Sequence, residues 1–164
     1  MLAKNLIFTL IVPGTVGVYL PLLIANRAGH AWARPMGLTF LGALLPLLAA
    51  GALYGWCLWN FAMVGRGTPA PTDPPRRLVL TGPYRLVRNP MYLSALLAIG
   101  GWSLLFHAWG VAGYGAILGI FFHLFVVLVE EPDLRRRFGD DYIAYCRMTH
   151  RWLPGGPIRP LIQP

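Results

Sequence analysis

The chain has 164 residues, 56% of them hydrophobic and 12% charged, with a formal charge of +8. A soluble domain carries roughly twice that charged fraction, and no Asp or Glu occurs before Asp73, so the composition excludes an ordinary soluble domain. It points to one small integral membrane bundle covering residues 1–164. The arginines flank apolar segments, which assigns the positive charge to lipid headgroups and topology rather than to nucleic acid.

A membrane helix needs about 20 apolar residues to cross about 30 Å of hydrocarbon. The first candidate runs over 5–25 and contains Pro13, Gly14, Gly17 and Pro21, so a kink is expected. Ala31-Trp32-Ala33 has the form of a signal cleavage site, but the apolar run is longer than a signal core and only Lys4 precedes it. The first segment is therefore read as a retained helix. The second candidate covers 38–64, long enough to tilt, with Pro46 inside. Together, 1–64 form a first helical hairpin.

Residues 65–90 form a loop rich in Pro and Gly, which cannot be regular helix or central strand. Leu78, Val79, Leu80, Tyr84, Leu86 and Val87 give it apolar anchors, so an ordered, functional loop is expected rather than a solvated linker. Gly65-Arg66-Gly67 could cradle an anion or simply cap the second helix. No glycine-rich dinucleotide fingerprint or Walker motif occurs.

The third and fourth candidates, 91–107 and 111–129, form a second hairpin within 91–129. Gly115 and Gly119 make a GxxxG step that permits close helix approach. Residues 130–164 form a tail. Within it, Leu134, Phe138, Tyr142, Tyr145 and Trp152 recur at helical steps with one slip, predicting an interfacial helix over 132–152 with its aromatic side toward lipid. Arg66, Arg76, Arg77, Arg85 and Arg88 fall in the middle loop, and six arginines follow the fourth segment. The positive-inside rule then places both termini and the loop in the cytoplasm, in a multi-pass protein of a prokaryotic inner membrane. The expected fold is thus an all-α, polytopic bundle of about four transmembrane helices, with a cytoplasmic loop and an interfacial C-terminal helix.

The topology implies a site. A helical hairpin returns to the side it left, so the polar stretch TGPYRLVRNPMY at 81–92 must meet Glu130-Glu131 at one membrane face. Adjacent helical residues point about 100° apart, so the two carboxylates cannot share one role. One is free for a ligand while the other meets Arg85, Arg88 or a tail arginine; a plain helix-end ion pair with Arg88 is the simpler alternative. His123 shares a four-residue stripe with Gly119, Val127 and Glu131, which places it toward the bundle or a pocket. A neighbouring carbonyl would satisfy it equally well. Cys57 lies in an apolar run, Cys146 in the tail, and neither belongs to a metal-ligand pattern.

The stretch from Leu78 to Tyr92, the hairpin, and then EEPDLRRRFGDDY from Glu130 resemble the isoprenylcysteine carboxyl methyltransferase and phospholipid methyltransferase family, over about half the chain. The family order is G-x-Y, R-H-P-x-Y, a hairpin, E-E and F-G-x-x-Y. The resemblance implies an integral membrane methyltransferase that uses S-adenosylmethionine, with a cofactor site built from the loop and the E-E helix. On that basis Leu78 and Val79 would contact the adenosine part. Tyr84, Asn89, Pro90, Met91 and Tyr92 would line the methionine and ribose parts, and Glu131 would meet a polar cofactor group. A carboxylate suits the cofactor's ammonium, an arginine such as Arg88 its carboxylate, and aromatic faces its sulfonium.

Two positions depart from the family pattern. Asn89 replaces the usual histidine and cannot act as an acid or base. Val127 stands where members that methylate prenylated carboxylates carry an arginine, which argues against a prenylcysteine substrate. The expected acceptor is a lipophilic small molecule or a prenylated one, drawn from among the membrane lipids. Catalysis would rest on alignment and exclusion of water, with His123 or Glu130 as base where the acceptor needs one. A lipid reductase or isomerase on a related scaffold, or a non-enzymatic four-helix protein, are the alternatives.

Overall fold

The computed structural model describes residues 11–29, 37–65 and 77–155. The start of the first predicted helix, Arg34, the Arg66-Gly67 pair, Arg76 and Arg159 lie outside them. The described residues form helices and short irregular segments; their one β-type contact is an isolated parallel bridge between Val87 and His150.

Helix α1 is Ile11–Arg27 and helix α2 is Leu38–Gly65. Helix α3, Pro90–Phe106, is followed after a short turn by α4, Trp109–Phe125. A wide turn at Val126–Glu130 carries α4 without a break into α5, Glu131–Met148. Among the described residues two helical stretches, Leu38–Gly65 and Trp109–Met148, are long and apolar enough to cross a membrane; α1 and α3 are apolar but shorter. Their outward faces are apolar: Leu38 is 84% exposed, Leu45 74% and Ile117 71%. Patches of this extent fit a lipid solvent better than water.

Helix α3 is the central post, packing on α1, α2 and α4. The GxxxG step works as expected, because a Cβ on Gly115 would lie 2.9 Å from Ile99 Cγ2, so only glycine lets α4 approach α3 there. The expected kink in α1 takes the form of a wide turn at Thr15–Tyr19. Leu20 N–H reaches back to Thr15 O, and Pro21 has no N–H to offer, so neighbouring carbonyls need other donors. Tyr114 Oη donates to Val16 O at 3.0 Å and Trp102 Nε1 donates to Gly17 O at 2.9 Å. Around this point Ala25, Ile99, Phe106, Ala108 and Val111 form a solid apolar core at the α3–α4 turn.

The tail departs from the expected interfacial helix in two respects. Gly139 sits at φ 53°, ψ −126°, a conformation open to glycine, and breaks α5 there. The break falls between Phe138 and Tyr142, and the helix ends at Met148, short of Trp152. Beyond the break Tyr142 and Tyr145 are buried within the protein rather than turned toward lipid. Tyr145 Oη donates to Tyr84 O at 2.6 Å, so the second half of α5 packs on the loop.

Candidate functional site

Two anchors order the loop before α3. Val79 and Tyr84 pack with Cys57 of α2, and Phe61 meets the Tyr84 ring edge-on at 5.5 Å. Thr81 Oγ1 donates to Asn60 Oδ1 at 2.7 Å, while Asn60 Nδ2 donates to Trp56 O at 2.8 Å. Gly82, at φ +59°, lies so close to Asn60 that a Cβ would collide with its amide. The predicted anchors Val79, Tyr84 and Val87 are buried, whereas Leu86 is exposed.

The third support is a strap formed by 149–152, which runs beside 87–89. Arg88 N–H donates to His150 O at 2.8 Å, and Asn89 Nδ2 donates to Arg151 O at 3.3 Å. Arg151 then grips Glu131 through two bonds, Nε to Oε1 at 2.6 Å and Nη2 to Oε2 at 3.0 Å. Arg88 Nη1 lies 3.3 Å from the same carboxylate, Arg135 adds a contact at 3.8 Å, and Arg88 Nη1 also reaches Cys146 Sγ. Burial pushes the Glu131 carboxyl upward, but the Arg151 hydrogen bonds and the Arg88, Arg151 and Arg135 charges outweigh it. They hold the group below its usual range.

Glu130 has a different partner. Tyr92 Oη donates to Glu130 Oε2 at 3.0 Å, and the Tyr92 ring packs on Phe122 at 4.6 Å. The adjacent carboxylates therefore divide as their helical spacing requires. Glu131 faces arginines; Glu130 faces a phenol.

These groups form the polar end of a cavity of about 920 Å³ that continues between α1, α2, α3 and α4. Leu78, Val79, Tyr84, Arg88, Asn89, Met91, Tyr92, Glu130 and Glu131 all line it. Pro90 does not; it is fully buried as the first residue of α3, where its missing N–H costs nothing. His123 does not either, which corrects its expected place on a pocket-lining stripe. Phe122, Val126 and Glu130, the stripe one residue away, face the cavity instead. His123 is exposed on the outer side, where its Nδ1 accepts from Trp152 Nε1 at 3.1 Å.

One buried donor at the polar end has no partner: Arg88 Nε. The Arg88 side chain is only 10% exposed, and a guanidinium N–H so buried asks for an acceptor. Sequence reasoning allowed a tail arginine at the carboxylate pair without singling out Arg151, and it missed Cys146, Asn60 and Trp102. Arg151 is twenty residues from Glu131, and only the fold-back at Thr149 brings them together. Asn60 offered a signal as the lone buried amide of an apolar helix.

The family model described as phospholipid methyltransferase matches residues 39–141. That span runs from the start of α2 through the cavity-lining part of α3 and α4 to beyond Gly139. Neither the curated proteins nor the solved structures give a match.

Proposed function

The chain belongs to the phospholipid methyltransferase family, and from that premise we propose that it is an S-adenosylmethionine-dependent methyltransferase acting on a lipophilic acceptor within the membrane. In this reading α1 to α4 are all membrane crossings, with the loop, the strap and α5 on the cytoplasmic side. The observation that carries the reading is one continuous cavity, polar where Arg88, Asn89, Glu130 and Glu131 meet and apolar along the helices below. A cofactor with charged groups suits the first part and a lipid the second.

The residues present fit the cofactor. Arg88 Nε is a buried donor awaiting an acceptor such as a carboxylate. Leu78 and Val79 offer an apolar wall for the adenosine part, while Tyr84, Asn89, Met91 and Tyr92 line the space beside it. Glu131, already held by three arginines, keeps Arg88 in place and leaves the cluster net positive, which suits an anionic group of the cofactor. When bound, S-adenosylmethionine supplies an electrophilic methyl group. Tyr92 and Phe122 provide aromatic faces beside it, and their packing excludes water from the reacting region. Glu130, fixed by Tyr92, is the group placed to hold a proton from an acceptor hydroxyl or amine.

Calorimetric titration of S-adenosylhomocysteine into detergent-purified protein tests the cofactor. Saturable binding is expected, weakened about tenfold in Arg88→Lys, which keeps the charge but loses the fixed fork. Equal affinity in both proteins, or no binding to folded wild type, counts against the reading.

A further inference from the structure

We propose that the apolar shaft of the cavity holds hydrocarbon of the acceptor, and that the α1 wide turn, closed by Trp102, is the stop that sets the chain length it accepts. The inference rests on the methyl-transfer reading and names what that reading leaves open, the shape of the acceptor and the role of α1.

The cavity does not run the full height of the bundle. Its lining along α3 extends from Asn89 through Ala95 and Ala98 to Trp102. Thirteen residues of helix at a rise of about 1.5 Å make the shaft roughly 20 Å deep. Below Trp102 the bundle is solid, because Ala25, Phe106, Ala108 and Val111 of the apolar core fill it. The end of the shaft is also rigidly built. Trp102 stacks on Phe106 at 5.8 Å and is bonded through Nε1 to Gly17 O, while Tyr114 holds the next carbonyl up, Val16 O. Carbonyls released by a wide turn in lipid must be satisfied within the protein, and here that requirement locks α1 across the bottom of the shaft.

The shaft is hollow because small residues line it from three sides: Gly17 of α1, Ala50 and Gly51 of α2, Ala95 and Ala98 of α3. Gly17 is buried, yet a Cβ built on it meets nothing within 4 Å; Gly51, an exposed residue that lines the cavity, also has open space around its Cα. Protein interiors are close-packed, so an apolar space of this size calls for an apolar occupant.

Gly51 lies one helical turn nearer the polar end than Leu47, whose side chain sits against Gly101 beside Trp102. A leucine at Gly17 would therefore shorten the shaft from its end, and a leucine at Gly51 would shorten it further. Gly100 also has open space around it but does not line the cavity, so Gly100→Leu is the control.

The experiment displaces cis-parinarate from the protein in phosphatidylcholine nanodiscs with n-alkyl carboxylates graded from octanoate to docosanoate. Energy transfer from tryptophan is the readout, with S-adenosylhomocysteine calorimetry on the same samples. Wild type should show a length cutoff. Gly17→Leu should move it to shorter chains and weaken the wild-type optimum about tenfold; Gly51→Leu should move it further, and Gly100→Leu should not move it. A wild type with no cutoff, or one cutoff shared by all four proteins, overturns the stop; if S-adenosylhomocysteine still binds, the methyl-transfer reading survives that result. A cutoff that moves in the expected order, in protein that binds no S-adenosylhomocysteine, supports the stop and overturns the methyl-transfer reading instead.

Discussion

Glu130 and Glu131 are neighbours in the chain with opposite surroundings, and the contrast predicts how each responds to change. Glu131 is buried among Arg88, Arg135 and Arg151. Its folded-state pKa lies below the ordinary carboxylate value of about 4.3, so its ion pairs contribute full stability above that value. The contribution fades as pH falls through the folded pKa. Thermal melting in detergent should therefore hold steady from neutral pH to about 5 and drop below it. In Glu131→Gln the acid-side drop should be smaller, and the neutral-pH stability lower by about 3 kcal/mol because Arg88 loses its buried partner. Glu130→Gln should leave melting almost unchanged while abolishing transfer to acceptors that must lose a proton. His123→Ala should retain transfer, because the imidazole lies outside the cavity. Residue types were a good guide at this scale: Arg88, Tyr92 and the carboxylate pair do meet, since a hairpin forces their ends together. The exception is His123: the stripe that faces the cavity is Phe122, Val126 and Glu130, one residue away from the one counted back from Glu131.

At the scale of elements, the loop is held by three different devices, and each should fail separately. Gly82→Ala imposes a left-handed conformation on alanine and a clash with Asn60; a loss of about 1–2 kcal/mol is expected. Limited proteolysis should read this as faster cleavage within 77–88. Tyr145→Phe leaves the Tyr84 carbonyl without its donor and should cost about 1 kcal/mol or more, with a similar gain in loop cleavage. Trp102→Phe removes the bond to Gly17 O at the other end of the bundle, for about 0.6 kcal/mol in a membrane setting, and should leave the loop intact. The helices themselves were legible because long apolar runs bounded by arginines admit few alternatives. Where α4 ends was not. Glu130, Glu131 and Pro132 look like a terminus, but Pro132 is tolerated within the first turn of α5 and the helix passes through. The strap was also hidden, since Trp152 extended the aromatic pattern and drew 149–152 into the predicted helix, whereas this stretch leaves the helix and gains its pairing from Val87 and Asn89, about sixty residues earlier.

The whole molecule is solid at the α3–α4 turn and hollow toward the polar end, with charge gathered beyond the hollow part. This arrangement predicts the topology directly. Asp140→Cys, exposed on α5, should react with a membrane-impermeant maleimide only from the cytoplasmic side. Trp109→Cys, at a position 89% exposed beside the hairpin turn, should react only from the opposite side. Labelling of both from one side would mean the α3–α4 hairpin does not cross. The strap carries one further consequence, which concerns time. Residues 149–152 are the last part of the polar cage to be synthesised. A chain that stops before Thr149 lacks the Arg151 bonds to Glu131 and the His150 and Arg151 carbonyls that accept from Arg88 and Asn89. The cage therefore cannot be complete in any chain until this stretch has been made and has folded back.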